Sequence, residues 1–526
     1  MARDFLDTPL LQLSELDKVT VRDACQGVLV TGGIGSGKTS GPGEAIAAAL
    51  LRAGMGGLVL CAKPEEADRW RRLCAQHGRF NSLLEFNGQT PGFNFIAYEL
   101  ARHGAQSLGN VIDCLMRVIE IANAASPMPG RAGESFWLDT MRQMLRASVG
   151  VVYAATGTVE IDTLLRFIRS APTSPEQMTD RQWQHQSSFF HLFAQAAERL
   201  DDESGARASS YWRHDFAMLD AKTRGNILIS LTTALDRFNH GWLRTAFCGQ
   251  TTFAPELCFH GAILLLDMPA LTRNEDGIIA QQLFKYMWQR AVLARNALDP
   301  SQQERPVFLY ADEAQYFINS YDAEFLSTCR GSRVVMVYLS QSLPTFYARM
   351  GGDQAHDRVH YLLGNFATRI WCSNACAETN EWAAKTIGRT LHERGSYNRS
   401  EGSNQSFGAN MGHGSNWGGN SSFGSSLSHS SGNGAGGSWS SGSTSSHGNS
   451  WGGNDNEGRS RNQGTNSGES WGYSQQMDYL IEPAEFGRML KTGGPANGNR
   501  VSAVWYQAGR TFRASGGNAL LAEFVQ

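Results

Sequence analysis

The sequence has 526 residues, 41% of them hydrophobic, and a formal net charge of −3. That length predicts two or three compact units with real cores. The absence of net positive charge excludes a protein that coats itself in nucleic acid, so any such contact must use a local patch or a pore. Nine cysteines include no CxxC pair. Cys372 and Cys376 stand as CSNAC without a second pair to complete a zinc site, so the cysteines read as reduced thiols of a cytosolic protein. The first residues, MARDFLDTPLLQLSEL, hold no apolar signal core, and no run reaches the roughly 18 apolar residues of a membrane span. The expectation is a cytoplasmic chain.

In chain order, Gly27–Thr31 predicts a short buried strand that enters a glycine-rich turn, with a helix from about Lys38 to Arg52. GGLVLCAK (Gly56–Lys63) predicts a second buried strand. Strands that alternate with helices indicate a parallel sheet. From about Ala97 to Lys222 helical patterns dominate, and this stretch reads as an all-helical insertion. The α/β pattern resumes with GAILLLDM (Gly261–Met268), the long helix GIIAQQLFKYMWQRAVLARN, PVFLYADEA (Pro306–Ala314), RVVMVYLSQS (Arg333–Ser342) and ATRIWCS (Ala367–Ser373). A helix follows from about Ala377 to Ile387. Between about 395 and 476 Gly, Ser and Asn dominate, and such a stretch buries too little apolar area to offset chain entropy, which predicts disorder. RVSAVWYQAGRTFRAS (Arg500–Ser515) alternates as a hairpin around Ala508-Gly509. The predicted division is a motor domain in two parts, 1–96 and 223–394, an insertion at 97–222, a linker at 395–476 and a returning hairpin within 477–526.

Gly32, Gly33, Ile34, Gly35, Ser36, Gly37, Lys38 and Thr39 fit G-x-x-x-x-G-K-[ST] without mismatch. Glycines let backbone N–H groups converge on phosphate oxygens at a helix N-terminus. Lys38 then reaches the β- and γ-phosphates of ATP, and the Thr39 hydroxyl binds Mg²⁺. The strand VFLYA ends in two acids. Asp312 is the expected second group for Mg²⁺, and Glu313 the group that orients and deprotonates an attacking water. Gln341, at the end of the next strand, lies where ligands of parallel sheets bind and reads as a sensor of nucleotide state.

GGIGSGKT, the strand ending in DEAQYF, and CRGSRVVMVYLSQSLPTFYARM together resemble the VirD4/TraG/TraD-type coupling ATPases of type IV secretion and conjugation. TRIWCSNACAETNEWAAKTIGRT, EFNGQTPGFNFI and KTRGNILISLTTALDRF are similar to segments of that family in the family's order. The resemblance covers most of residues 20–394 and the last residues. It implies a RecA-like P-loop NTPase with a parallel central sheet and an inserted all-α domain, to which the composition adds the long disordered Gly/Ser/Asn-rich insertion. It further implies a homo-hexameric ring that hydrolyses ATP to translocate or deliver DNA, with type IV secretion or relaxosome-like proteins as partners. Family motors use an arginine from the neighbouring subunit; the matching position is Arg330, with Arg333 second. Many members carry an N-terminal transmembrane segment that this sequence lacks, so a membrane role would run through a partner at the inner face.

Two other functions fit the same residues: a platform that recruits protein cargo without DNA translocation, and a soluble ATPase of a mobile-element or phage-defence system. The Gly/Ser/Asn stretch reads first as a flexible spacer. Alternatively, Trp417, Trp439, Trp451 and Trp471 act as stickers on bases or on one another.

Overall fold

A computed structural model of the chain describes residues 5–125, 134–352, 354–410, 420–431, 437–448 and 458–526. Contacts divide it into two units, Met1–Asn380 with Ala484–Gln526, and Glu381–Pro483.

The first unit opens on a short hairpin, β1 (Pro9–Gln12) and β2 (Lys18–Thr20). Its main sheet uses the apolar runs that the sequence marks as strands: β3 (Val28–Thr31), β4 (Gly56–Leu60), β6 (Ile263–Leu266), β7 (Val307–Ala311), β8 (Val334–Ser340) and β9 (Thr368–Trp371). β5 (Leu83–Phe86) adds a further parallel strand at one edge. The spatial order is β15-β14-β9-β3-β8-β7-β4-β6-β5, where β14 is Arg500–Gln507 and β15 is Ala519–Val525. β14 pairs antiparallel with β9 and with β15, and every other pair in the sheet is parallel. Every residue of β3, β4, β6, β7 and β8 is buried, as parallel strands covered on both faces require.

Two helices show how the sheet is covered. Glu44–Arg52 buries Ile46, Leu50 and Leu51, and Pro64–Gln76 lays Trp70 on Phe308 with ring centroids 5.7 Å apart. Helix Ala270–Ala294 is buried on nearly every side, which is why its sequence carries no amphipathic stripe. Asn274, at φ 51°, breaks it after its first turn.

The predicted hairpin around Ala508-Gly509 has its first strand in β14, but its second strand is β15 and not RTFRAS. That stretch is tied elsewhere: Arg510 pairs with Asp23, and the N–H groups of Arg513 and Ala514 donate to the Asp17 carboxylate. Among the described residues, helical elements follow one another from Phe95 to Phe247, past Lys222, with no strand between. Helix Ala221–Asp236, which the sequence reading placed in the motor, starts where Asp220 accepts from the N–H groups of Lys222 and Thr223. The insertion has its own aromatic core, with Phe167 stacked on Phe189 at 4.6 Å and Trp212 against Phe216 at 4.8 Å.

The second unit lays out β10 (Arg389–Asn410), β11 (Asn420–Ser431), β12 (Gly437–Gly448) and β13 (Gly458–Tyr479) as one antiparallel sheet, in the order β10-β13-β12-β11. Arg389 faces Tyr479 in the register and Asn410 faces Gly458. The sequence, which leads to an expectation of disorder here, supplies these strands no apolar alternation, so what pairs them is the backbone. Trp417 and Trp451 lie outside the described residues, and Trp471 meets Tyr397 at a tilt of 51° with centroids 4.7 Å apart.

Candidate nucleotide site

β3 runs directly into Gly32–Thr39, and the helix behind it begins with one wide turn, Thr39–Gly43, before Glu44–Arg52. Gly35 and Gly37 stand at φ 71° and 79°, in the left-handed region that the loop's reversal requires and that other residues avoid. Gly37 is also pressed by β14: a Cβ there would lie 2.4 Å from Val501 Cγ2. Gly32 N–H donates to Ser340 O at 3.2 Å and Gly33 N–H to Ser373 O at 2.9 Å, so the ends of β8 and β9 hold the loop's first residues. Ile34 crowns the loop and is 89% exposed, whereas Ser36 and Lys38 are buried.

The register of the sheet brings the acids to this loop. Thr31 pairs with Ser340, and Ala311 pairs with Tyr338, so Gly32, Asp312 and Gln341 leave three adjacent strands at their carboxyl ends. Thr39 Oγ1 donates to Asp312 Oδ2 at 2.7 Å. Glu313 is 3% exposed and sits at φ 48°, a strained backbone for a non-glycine residue. Its carboxylate accepts from Gln315 Nε2 at 2.8 Å and from Gln341 Nε2 at 3.2 and 3.3 Å, and Lys38 Nζ stands 3.9 Å away. Asn374 Nδ2 donates to Gln341 O at 2.9 Å and so fixes the sensor strand's end.

A residue that the sequence reading passed over completes this cluster. Lys63 Nζ lies 2.8 Å from Glu313 Oε1. The signal for it was positional: Lys63 follows a buried parallel strand at its carboxyl end, where ligand-facing groups of such sheets lie. Burial by itself would raise the Glu313 carboxyl, but the hydrogen bonds from Lys63 and Gln315 and the charges of Lys38 and Lys63 outweigh it and hold it below the usual range. One turn on, Glu66 moves the other way. Burial, together with the charge of Asp312, pushes its carboxyl up to about 8. Its Oε2 accepts from Ala62 N–H at 2.7 Å, while Oε1 is buried without a partner among the described residues.

Arg330 and Arg333 are not brought to this cluster. Both precede β8, whose far end carries Gln341; seven residues of strand separate them by roughly 20 Å. Arg333 Nη1 donates to Glu304 O at 3.0 Å, whereas the exposed Arg330 side chain has no hydrogen-bond or ion-pair partner among the described residues. The segment that joins Glu313 to Arg330 is anchored by a fully buried pair. Lys285 Nζ lies 2.6 Å from Asp322 Oδ2 and also donates to Phe317 O, while Gln289 Nε2 donates to Asp322 Oδ1 at 2.8 Å.

The donor set fits a magnesium nucleotide. Thr39 and Asp312 offer two converging hard oxygens, and Mg²⁺ in phosphate sites takes one or two protein oxygens with water and phosphate for the rest. Among the described residues no larger His, Cys, Asp and Glu group is arranged to hold a metal. The buried Ser36 hydroxyl has no hydrogen-bond partner among the described residues and lies inside the turn of the loop.

The fold and this arrangement define a RecA-like P-loop nucleotide-binding protein with an all-α insertion. Residues 306–449 match a family model described as the TraM recognition site of TraD and TraG. Among solved structures, the bacterial conjugative coupling protein TrwBdeltaN70, in an unbound monoclinic form, is similar with a TM-score of 0.51 at 12% identity, covering 98% of this chain and 90% of that one. The plasmid coupling protein TrwB in complex with ADP and Mg²⁺ gives 0.51 at 13% identity, covering 97% and 86%. Its complex with the non-hydrolysable GTP analogue GDPNP gives 0.50 at 13%, covering 96% and 86%. No curated protein sequence matches. The family match is confined to residues 306–449, and what the chain shares with these solved structures is the fold. No helix among the described residues is long and apolar enough to cross a membrane.

Proposed function

We propose that the protein is an ATP-hydrolysing ring motor of the conjugative coupling class, which translocates or delivers DNA or a protein–DNA substrate. The observation that carries this reading is the convergence of Lys38, Thr39, Asp312, Glu313 and Gln341 at the ends of three adjacent strands. Lys38 holds the β- and γ-phosphates, and Thr39 and Asp312 hold Mg²⁺. The ion, when bound, neutralises charge that develops on the phosphate oxygens. Glu313, held as a carboxylate, orients the attacking water and accepts its proton, while Gln341 spans Glu313 and the terminal phosphate.

Arg330 supports a ring. It lies too far from its own subunit's site to serve it, and its guanidinium is available to a neighbour's. In this reading Arg330→Ala binds ATP normally and turns over slowly. Mixing it with Lys38→Ala restores part of the activity, because one interface of a mixed ring then has every group.

The test of the function is ATPase activity with single-stranded DNA, with double-stranded DNA and without DNA, alongside a mass measurement. Stimulation by DNA in a homo-hexamer is the expected result. The description of residues 306–449 as a recognition site for TraM favours one alternative, a platform that selects a protein partner. Stimulation by a relaxosome-like protein and indifference to DNA would establish that alternative instead.

A further inference from the structure

Lys63 leaves the end of β4 in a turn that two buried side chains pin. Gln281, in the middle of helix Ala270–Ala294, accepts from Cys61 N–H at 2.8 Å and donates to Cys61 O at 2.9 Å and Met268 O at 2.7 Å. Glu66 accepts from Ala62 N–H. In the sheet register Leu60 pairs with Ala311, so Lys63 and Glu313 leave neighbouring strands at the same end. The lysine reaches its partner from a backbone that has little freedom to move.

The bonds around the Glu313 carboxylate fall into two sets. Those from Lys63 and Gln315 are short, both 2.8 Å. Those from Gln341 are 3.2 and 3.3 Å, and Lys38 stands at 3.9 Å. The longer set comes from the P-loop and the end of β8. The short set comes from Glu313's own segment and from β4. It also restrains a residue whose backbone is strained and needs its surroundings to hold it.

We propose that Lys63 is a positioning residue for hydrolysis: with Gln315 it grips the Glu313 carboxylate from the side away from the nucleotide and keeps it aimed while Lys38 and Gln341 turn to the phosphates. The proposal rests on Glu313 as the catalytic base. In the full chain, Lys63→Met removes the cation at similar length and should lower kcat by about tenfold to a hundredfold, the scale of a misaimed group. Affinity for a non-hydrolysable ATP analogue with Mg²⁺ should stay within about twofold, since Lys63 makes no phosphate contact in this scheme. Lys63→Arg should recover most of kcat. Amide hydrogen exchange across 312–318 in the nucleotide-free protein should quicken in Lys63→Met, and the same change should add nothing in a Glu313→Gln background. Unchanged kcat, loss of affinity in proportion to kcat, or exchange that ignores Glu313 would overturn the role of Lys63. Glu313→Gln is the control: if it turns over normally, the hydrolytic reading itself falls, whereas an inactive Glu313→Gln beside a fully active Lys63→Met sinks only the present proposal.

Discussion

Two sheets of this molecule are built on opposite terms. In the nine-stranded sheet, the central strands are apolar at every position, and burial fixes which residue stands at each strand's end. In the four-stranded sheet of residues 389–479, backbone pairing runs without an apolar face, so nothing specifies one register over the next. The difference teaches where chemistry can be placed. Thr39, Asp312, Glu313 and Lys63 meet within hydrogen-bond distance because buried strands leave them no choice. A Gly/Ser/Asn-rich chain carries little apolar area with which to fix any one group in place.

The strongest way to test that contrast is to remove the site's own groups. Lys38→Ala and Glu313→Gln should each cut ATP turnover by about a thousandfold or more, in line with the loss of a charged transition-state contact or a general base. The routes differ. Lys38→Ala should also weaken ATP binding, measured with a fluorescent analogue, while Glu313→Gln should leave ATP bound and trapped.

Next in size is the buried pair that secures the segment between Glu313 and Arg330. Lys285→Met leaves the buried Asp322 carboxylate without its counter-ion, with only neutral donors, among them Gln289 and the Asn319 N–H, which should cost about 3–5 kcal/mol in urea unfolding of the full chain. The double variant Lys285→Met/Asp322→Leu should regain much of that loss. If the single variant unfolds like the parent, the core does not discriminate as the buried strands suggest.

Glu66 gives a smaller effect with a defined sign. Its folded carboxyl is raised to about 8 against a usual 4.5, so the folded protein holds a proton there that the unfolded chain releases. Stability from this group is therefore full below pH 4.5 and is lost as pH rises towards 8. In the nucleotide-free protein, Glu66→Gln should flatten that decline, by about 1–3 kcal/mol at the alkaline end. A parental pH profile in the variant would place the titration elsewhere.

The smallest effect belongs to the other sheet. Replacing residues 402–468 by a short flexible link should change the stability of the remaining chain by no more than about 1 kcal/mol and leave basal ATPase intact. Collapse of folding on this deletion would show that the strands of the polar unit contribute a core of their own. Substituting the four tryptophans by serine without deletion should weaken DNA or partner binding by more than about tenfold if they act as stickers. Unchanged binding leaves the spacer reading.

Much of the nine-stranded sheet was legible in residues because its strands are continuous apolar runs and the loop after β3 has demanding chemistry. VFLYADE announces both a buried strand and the acids at its end. β5 was not legible: LLEF is short, lies at an edge, and three of its four positions are only half-buried. That a helix continues past Lys222 was not legible because Ala221–Asp236 mixes polar and apolar residues and buries only Ile227, Leu231, Ala234 and Leu235. β15 was missed because RTFRAS alternates as well as a strand does, and only tertiary contacts with Asp17 and Asp23 draw it away. Lys63 belongs to no motif, and its meaning emerges only when β4 lies beside β7.

The contact of Val501 with Gly37 has a consequence for how the protein is made. Synthesis produces the phosphate loop early and its brace late, after the whole insertion and the polar unit have emerged. Until β14 arrives beside β9, the loop lacks the wall against which Gly37 turns, and Ser40 lacks the bond from Gln526. A nascent chain on the ribosome thus carries the motif GGIGSGKT without a finished grip on nucleotide, and chains interrupted before residue 501 should be silent and not idling ATPases.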